Sequence, residues 1–200
     1  MSTSTEHVMH HDAPEVVGRR ERLGVRLIIL ADGAFVFSMI FSYFYLRNLN
    51  VNNGWLPADG HTFTVSSVWL LALPFIIAAI THNLGQKRRE SMGILSIISF
   101  VVLAIGLVMQ WNQLSHMPFM LAEEGGFEGA YASMAFFLGG ANLLHYVLGT
   151  FVALGIAIRT KRGSSTGIHE TWRLRTAGSW FTWLAISAVA CAITTSFAAV

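Results

Sequence analysis

Five long apolar stretches, each separated from the next by a polar or basic connection, restrict this chain to one class of fold. They run roughly from Val25 to Leu46, Val65 to Leu84, Gly93 to Leu114, Ser133 to Ile158 and Gly178 to Ala199. A bilayer core takes about 20 helical residues to cross. Inside it, only helices or a closed barrel satisfy every backbone N–H and C=O group. The chain therefore reads as an all-α membrane protein, a five-transmembrane-helix bundle. Its charged content of 12% is about half that of a soluble domain. Residues 1–24 are expected to form a polar N-terminal tail and residues 25–200 the membrane domain, which leaves no length for a separate soluble domain.

Lysine and arginine set the expected orientation. Arg19, Arg20, Arg22 and Arg26 precede the first stretch, Lys87, Arg88 and Arg89 follow the second, and Arg159, Lys161, Arg162, Arg173 and Arg175 join the fourth to the fifth. The other side holds Arg47 alone. A bias of twelve to one places the N-terminus in the cytoplasm and the C-terminus outside. The amino-terminal segment has no apolar core and no small-residue cleavage site, so the first helix is expected to act as an uncleaved insertion signal. The basic residues face lipid head groups in this arrangement, and a net charge of +2 gives no reason to expect nucleic acid.

Asp32 is the carboxylate that no placement moves out of the membrane, because apolar runs flank it on both sides. A charge at mid-bilayer costs roughly 2.5–3.5 kcal/mol on insertion scales. Such a group is either hydrogen-bonded at a helix–helix contact or put to use. His145, in the fourth stretch, lies at comparable depth, and Asn142 precedes it by three residues on the same helical face. The expectation is a hydrogen bond from Asp32 to His145 or Asn142 across the first and fourth helices. That pair could bind the helices together, anchor a lipid head group, or hold a proton near a neighbouring pathway. Gly139, Gly140, Ala141, Gly149 and Ala153 give the fourth helix small residues for close packing.

Other signals are weaker. A haem or copper site in a bundle needs at least two inward ligands at matching depth, and His145 is the one central histidine; His7, His10, His11, His61, His82, His116 and His169 fall toward the ends or in the tail. No phosphate loop, nucleophile elbow or metalloprotease helix is present. Cys191, the sole cysteine, allows no internal disulfide. Trp55, Trp69, Trp111, Trp172, Trp180 and Trp183 lie near helix ends and read as an aromatic belt. Met117, Phe119 and Met120 suggest a short interfacial helix, followed by an acidic loop with Glu123, Glu124 and Glu128, which are either solvated or a surface for a basic partner such as cytochrome c.

On specific motifs the chain resembles subunit III of the haem–copper terminal oxidases in a short five-helix form. Ala31-Asp32, Phe35, Phe37 and Tyr43-Phe44-Tyr45-Leu46-Arg47 are similar to that family's first-helix pattern, and Trp55 and Pro57 to its outer Trp-Pro loop. Gln110 and Gln113 stand where a Gln-x-x-Glu motif ends the third helix. Tyr131, Ser133, Phe136, Gly140, His145 and Gly149 fall, without a gap, on the fixed points of its fourth-helix pattern. The chain departs from it at Asn142, which replaces a histidine, at Gln113, which replaces a glutamate, and in the last helix. There Trp180, Phe181, Thr182 and Trp183 keep aromatics but lose a His and an Asp.

The resemblance implies an accessory subunit without redox cofactors of its own, the haems and copper belonging to subunits I and II. It implies direct packing on subunit I, contact with subunit II or other small subunits, bound phospholipid, and support of proton uptake and turnover stability in an aerobic respiratory complex of a prokaryotic plasma (inner) membrane. The electron donor would be cytochrome c or quinol. Asp32, His145, Asn142, Gln110 and Gln113 are the lipid- or proton-related candidates. Two other readings remain at this point: an accessory subunit of a nitric oxide reductase, and a small ion-coupled transporter using Asp32.

Overall fold

The computed structural model describes residues 13–57, 60–117, 129–161 and 168–197. Among them the regular structure is helical: α1 (Pro14–Leu49), α2 (Val65–Lys87), α3 (Met92–Ser115), α4 (Gly129–Lys161) and α5 (Ile168–Ser196), with short 3-10 turns at Val51–Asn53 and Arg89–Ser91. All five helices are long and apolar enough to cross a membrane, as in a multi-pass membrane protein. The amino-terminal histidines and the acidic stretch from Glu123 to Glu128 lie outside the described residues.

α1 begins well before the expected Val25, so the segment 14–24 is helix and not tail. Pro14 suits a first helical position, where its missing N–H costs nothing and its fixed φ is already helical. Packing then holds the early turns: Gly18 lies directly under the Trp172 ring, and the Arg22 guanidinium sits 4.3 Å from the centre of the same ring. Asn50 ends the helix in the left-handed region, its N–H bonded to Leu46 O. α2 starts at Thr64, whose hydroxyl accepts the Ser67 N–H, the ordinary N-cap arrangement.

Contacts fix the directions. Trp172 at the start of α5 meets the start of α1, and Phe44 meets Phe197 at their far ends, so α1 and α5 run parallel. His82 near the end of α2 bonds Leu174 near the start of α5, and Trp69 bonds Ser196, so α2 runs against them. Gly93 meets Thr160, while Gly139 meets Gln110 and Leu114, which sets α3 against α4. α1 is peripheral: among the described helices it packs on α5 and α4 alone.

Two buried clusters lie between the helices. One gathers Phe75, Leu103, Tyr146, Phe181 and Leu184; the other gathers Val36, Met39, Tyr43, Trp55, Tyr131 and Leu138. Trp183 packs against both. In the first cluster Tyr146 stacks on Phe75, ring centres 3.9 Å apart, and its hydroxyl donates to Leu71 O. Leu71 lies within one turn of Pro74, so this bond ties α4 to the α2 backbone close to its proline.

Candidate functional site

Along α1 the inward residues follow a helical stripe, Asp32, Val36, Met39 and Tyr43, at steps of four, three and four. Val36, Met39 and Tyr43 are buried, while Leu23, Leu27, Leu30, Phe37 and Phe41 are all more than half exposed on the outer side. Asp32 is therefore turned toward the bundle. Its carboxyl group is bracketed by two N–H groups from two other helices. His145 Nε2 lies 3.0 Å from Asp32 Oδ1, and Trp183 Nε1 donates to Asp32 Oδ2 at 2.5 Å. The His145 side chain is 2% exposed and that of Asp32 18%.

The expected partner His145 is in place, and Asn142 is not bonded to Asp32. Sequence reasoning missed Trp183. Its place along the chain groups it with the other tryptophans as an interfacial anchor, and the structure gives the six tryptophans more than that one role. Trp69 and Trp111 are exposed, but Trp55 and Trp180 are buried in the core, and Trp183 serves the carboxylate. The available signal was the presence of aromatic N–H donors in the last helix at the depth of Asp32. An indole buries a large apolar ring and still offers one donor, so it can stand opposite a carboxylate without bringing a charge of its own.

With Nε2 of His145 on the carboxyl group, its Nδ1 is the second polar atom of the ring, buried and with no hydrogen-bond partner among the described residues. The Trp180 ring stands edge-on to His145, centres 6.4 Å apart. Gly33, beside Asp32, has its α-carbon face against the Trp183 ring. The site is thus a carboxyl group, an imidazole and an indole clamped where α1, α4 and α5 meet. His82 is as deeply buried as His145 but is committed to Leu174 O at 3.0 Å, a packing role.

The Gln110 and Gln113 candidates lie apart from Asp32, on α3. Gln110 is buried and its Nε2 donates to Gln113 Oε1 at 3.0 Å. They share a small cavity with Asn142. The five sequence candidates therefore fall into two places: the Asp32–His145 clamp and an amide cluster, joined by the Asn142–His145 face of α4.

A groove of about 610 Å³ runs between α1, α4 and α5. Val25, Ile28, Leu148, Phe151 and Val152 make its walls, Trp180 lies on its lining, and Glu21, Arg159 and Arg173 give it charge. Arg173 Nε approaches Glu21 Oε1 at 3.7 Å. The same Trp180 ring that lines this groove faces His145. The groove is thus apolar for most of its wall and basic at the amino-terminal end of the bundle.

At the opposite end the first connection is clasped onto α4. Ala130 N–H donates to Gly54 O and Tyr131 N–H to Trp55 O; Phe63 N–H donates to the Tyr131 hydroxyl at 3.0 Å. Tyr43, Trp55 and Tyr131 pack edge to face, with Tyr43 and Trp55 ring centres 4.9 Å apart. Tyr43, Trp55 and Tyr131 are residues of the sequence patterns described above, brought together here. Phe35, Phe37 and Phe136, from the same patterns, are exposed on the outer surface.

Compared with known proteins, the chain matches no protein-family model and no curated sequence.

Proposed function

We propose that this chain is subunit III of a proton-pumping haem–copper terminal oxidase, a non-redox accessory subunit in a prokaryotic plasma membrane. The observation that carries the reading is the Asp32–His145 bond. The acid of the first-helix pattern and the histidine of the fourth-helix pattern, 113 residues apart, meet in space, and Tyr43, Trp55 and Tyr131 of the same patterns form a second contact. Independent positions of one resemblance are thus used together.

In this role the chain packs beside subunit I, contacts subunit II or smaller subunits, holds phospholipid and supports proton uptake and turnover stability. The groove between α1, α4 and α5 supports the lipid part: apolar walls suit acyl chains, and Arg159 and Arg173 suit a phosphate near the cytoplasmic surface. The long apolar face of α1 offers area to lipid or to a neighbouring subunit. Haem and copper stay with the partner subunits, and the electron donor, cytochrome c or quinol, is chosen there.

The occupancy of Asp32 weighs against the transporter reading. Both carboxyl oxygens are already hydrogen-bonded, Oδ1 to His145 Nε2 and Oδ2 to the Trp183 N–H, and a coupling cation would have to displace one of these partners. Purification of the tagged chain from its native membrane in mild detergent tests the proposal. Co-isolation with haem-bearing subunits and cytochrome-linked or quinol-linked oxygen consumption is the expected result. Isolation alone, without a haem spectrum, overturns it, and consumption of nitric oxide in place of oxygen moves the chain to the reductase.

A further inference from the structure

α2, α3, α4 and α5 line a half-open cavity of about 30 Å³ whose wall includes Gln110, Gln113, Asn142, Cys191 and Thr195. The polar groups of this lining do not satisfy one another. Gln110 is 1% exposed. Its Nε2 is spent on Gln113 Oε1, and its Oε1 has no partner among the described residues. Asn142 Oδ1, from α4, is also buried and without a partner among them. The Thr195 hydroxyl proton goes to its own helix, at Cys191 O, 2.8 Å away. Two residues of this lining thus each carry a buried amide oxygen to which none of the described residues donates. Buried acceptors are rarely left so, because each loses its hydrogen bonds to bulk water and gains nothing in return. Turning the Gln110 amide over alone would set Gln110 Oε1 against Gln113 Oε1, and turning both amides keeps their bond but leaves the Gln110 NH₂ as the buried group without a partner in place of the oxygen.

A water molecule needs about 10–15 Å³ and two to four polar partners, so the cavity has room for one or two. We infer that it is a built water site, in which a water donates one proton to Gln110 Oε1 and the other to Asn142 Oδ1. The amide N–H groups of Gln113 and Asn142 can supply the donor for its oxygen. The water would bridge α3 to α4 one turn along from His145, whose Nδ1 is a further buried polar atom without a partner among the described residues. It extends the polar face of α4 from the Asp32 clamp toward the other end of the bundle. The inference does not depend on the oxidase reading.

The test uses the intact protein with whatever subunits it retains. A map that resolves ordered waters elsewhere in the bundle should show density within hydrogen-bonding distance of both amide oxygens. Amides bonded directly to each other, or no density there, overturn the inference. Cys191 on the cavity wall gives a second readout. Its S–H stretching band, identified by its loss in Cys191→Ala, should convert to S–D on transfer to D₂O. In the double variant Gln110→Leu/Asn142→Leu, with an apolar lining, that conversion should be lost on the same timescale. A wild-type thiol that does not exchange, or a double variant that exchanges as fast as wild type, overturns it. Should the double variant fail to fold, the wild-type density and exchange decide alone.

Discussion

Trp183 donates its indole N–H to Asp32 at 2.5 Å, tying the last helix to the first through the one acid within the apolar length of α1. The bond matters because α1 is peripheral and, among the described helices, packs on α4 and α5 alone. Between helices in a membrane there is little hydrophobic force, so packing and polar bonds decide association. Asp32 makes one polar bond to each of the two helices that α1 touches.

Replacing the acid should loosen that attachment in graded steps. Asp32→Asn keeps one acceptor oxygen but turns an NH₂ toward one of the two donors, at a cost of about 0.6–1.7 kcal/mol for the lost interhelical bond. Asp32→Leu leaves both His145 and Trp183 without their acceptor and costs more, about 2–3 kcal/mol from two unmet buried donors. Thermal unfolding in detergent should rank wild type above Asn above Leu. A double-mutant cycle with Trp183→Phe isolates the indole bond, and additive effects would show that it contributes nothing.

Gly106 shows how tightly the first cluster is built. A β-carbon there would lie 2.2 Å from the Tyr146 ring, which is pinned by its stack on Phe75 and its bond to Leu71 O. Gly106→Ala is expected to push Tyr146 off both partners and cost about 1–3 kcal/mol, the usual range for overpacking. Adding Tyr146→Leu should return part of the loss, because the colliding ring is gone. A melting temperature unchanged in Gly106→Ala would contradict this packing.

The sequence carried the helix count and the acid–histidine pairing for plain reasons. Apolar length reports spans directly, and a buried acid and a buried histidine at one depth have few other partners. What it did not carry was the third member of the clamp. Trp183 obeys the interfacial rule in position along the chain, and only the parallel packing of α5 on α1 turns its N–H toward Asp32. The early start of α1 was hidden similarly: Arg19, Arg20 and Arg22 read as tail, yet Gly18 and Arg22 pack on Trp172, a contact 150 residues away that no local pattern encodes. Helical spacing alone offers either His145 or Asn142 to Asp32, because they share a face; one turn of rise gives the bond to His145 and carries Asn142 to the cavity with Gln110.

The clasp at the other end depends on the backbone of one glycine. Gly129 opens α4 with φ of +77°, and a β-carbon would fall 2.8 Å from Leu56 C and Trp55 O. Gly129→Ala meets both an unfavourable backbone region, at about 1 kcal/mol or more, and a backbone collision. The Ala130–Gly54 and Tyr131–Trp55 bonds should open. Hydrogen exchange at the Ala130 and Tyr131 amides is expected to rise while that at the centres of α3 and α4 stays unchanged. Uniform exchange throughout would mean that the clasp is not a local unit.

The groove between α1, α4 and α5 makes a prediction whose sign differs between neighbouring residues. If an anionic phospholipid places its phosphate by Arg159 and Arg173, each cation contributes about 1 kcal/mol of attraction at the membrane surface. Arg159→Gln should then lower retained anionic lipid about fivefold in affinity, as measured by native mass spectrometry of the detergent-purified protein. Glu21 lies 3.7 Å from Arg173 and competes with the phosphate for it. The pair is partly exposed, so losing the bond itself has little effect on stability. Glu21→Gln should therefore raise anionic-lipid retention with little change in melting temperature, whereas a merely structural ion pair would leave the lipid count alone. A zwitterionic lipid bound equally well by wild type, Arg159→Gln and Glu21→Gln would show that the basic end of the groove does not select its occupant by charge.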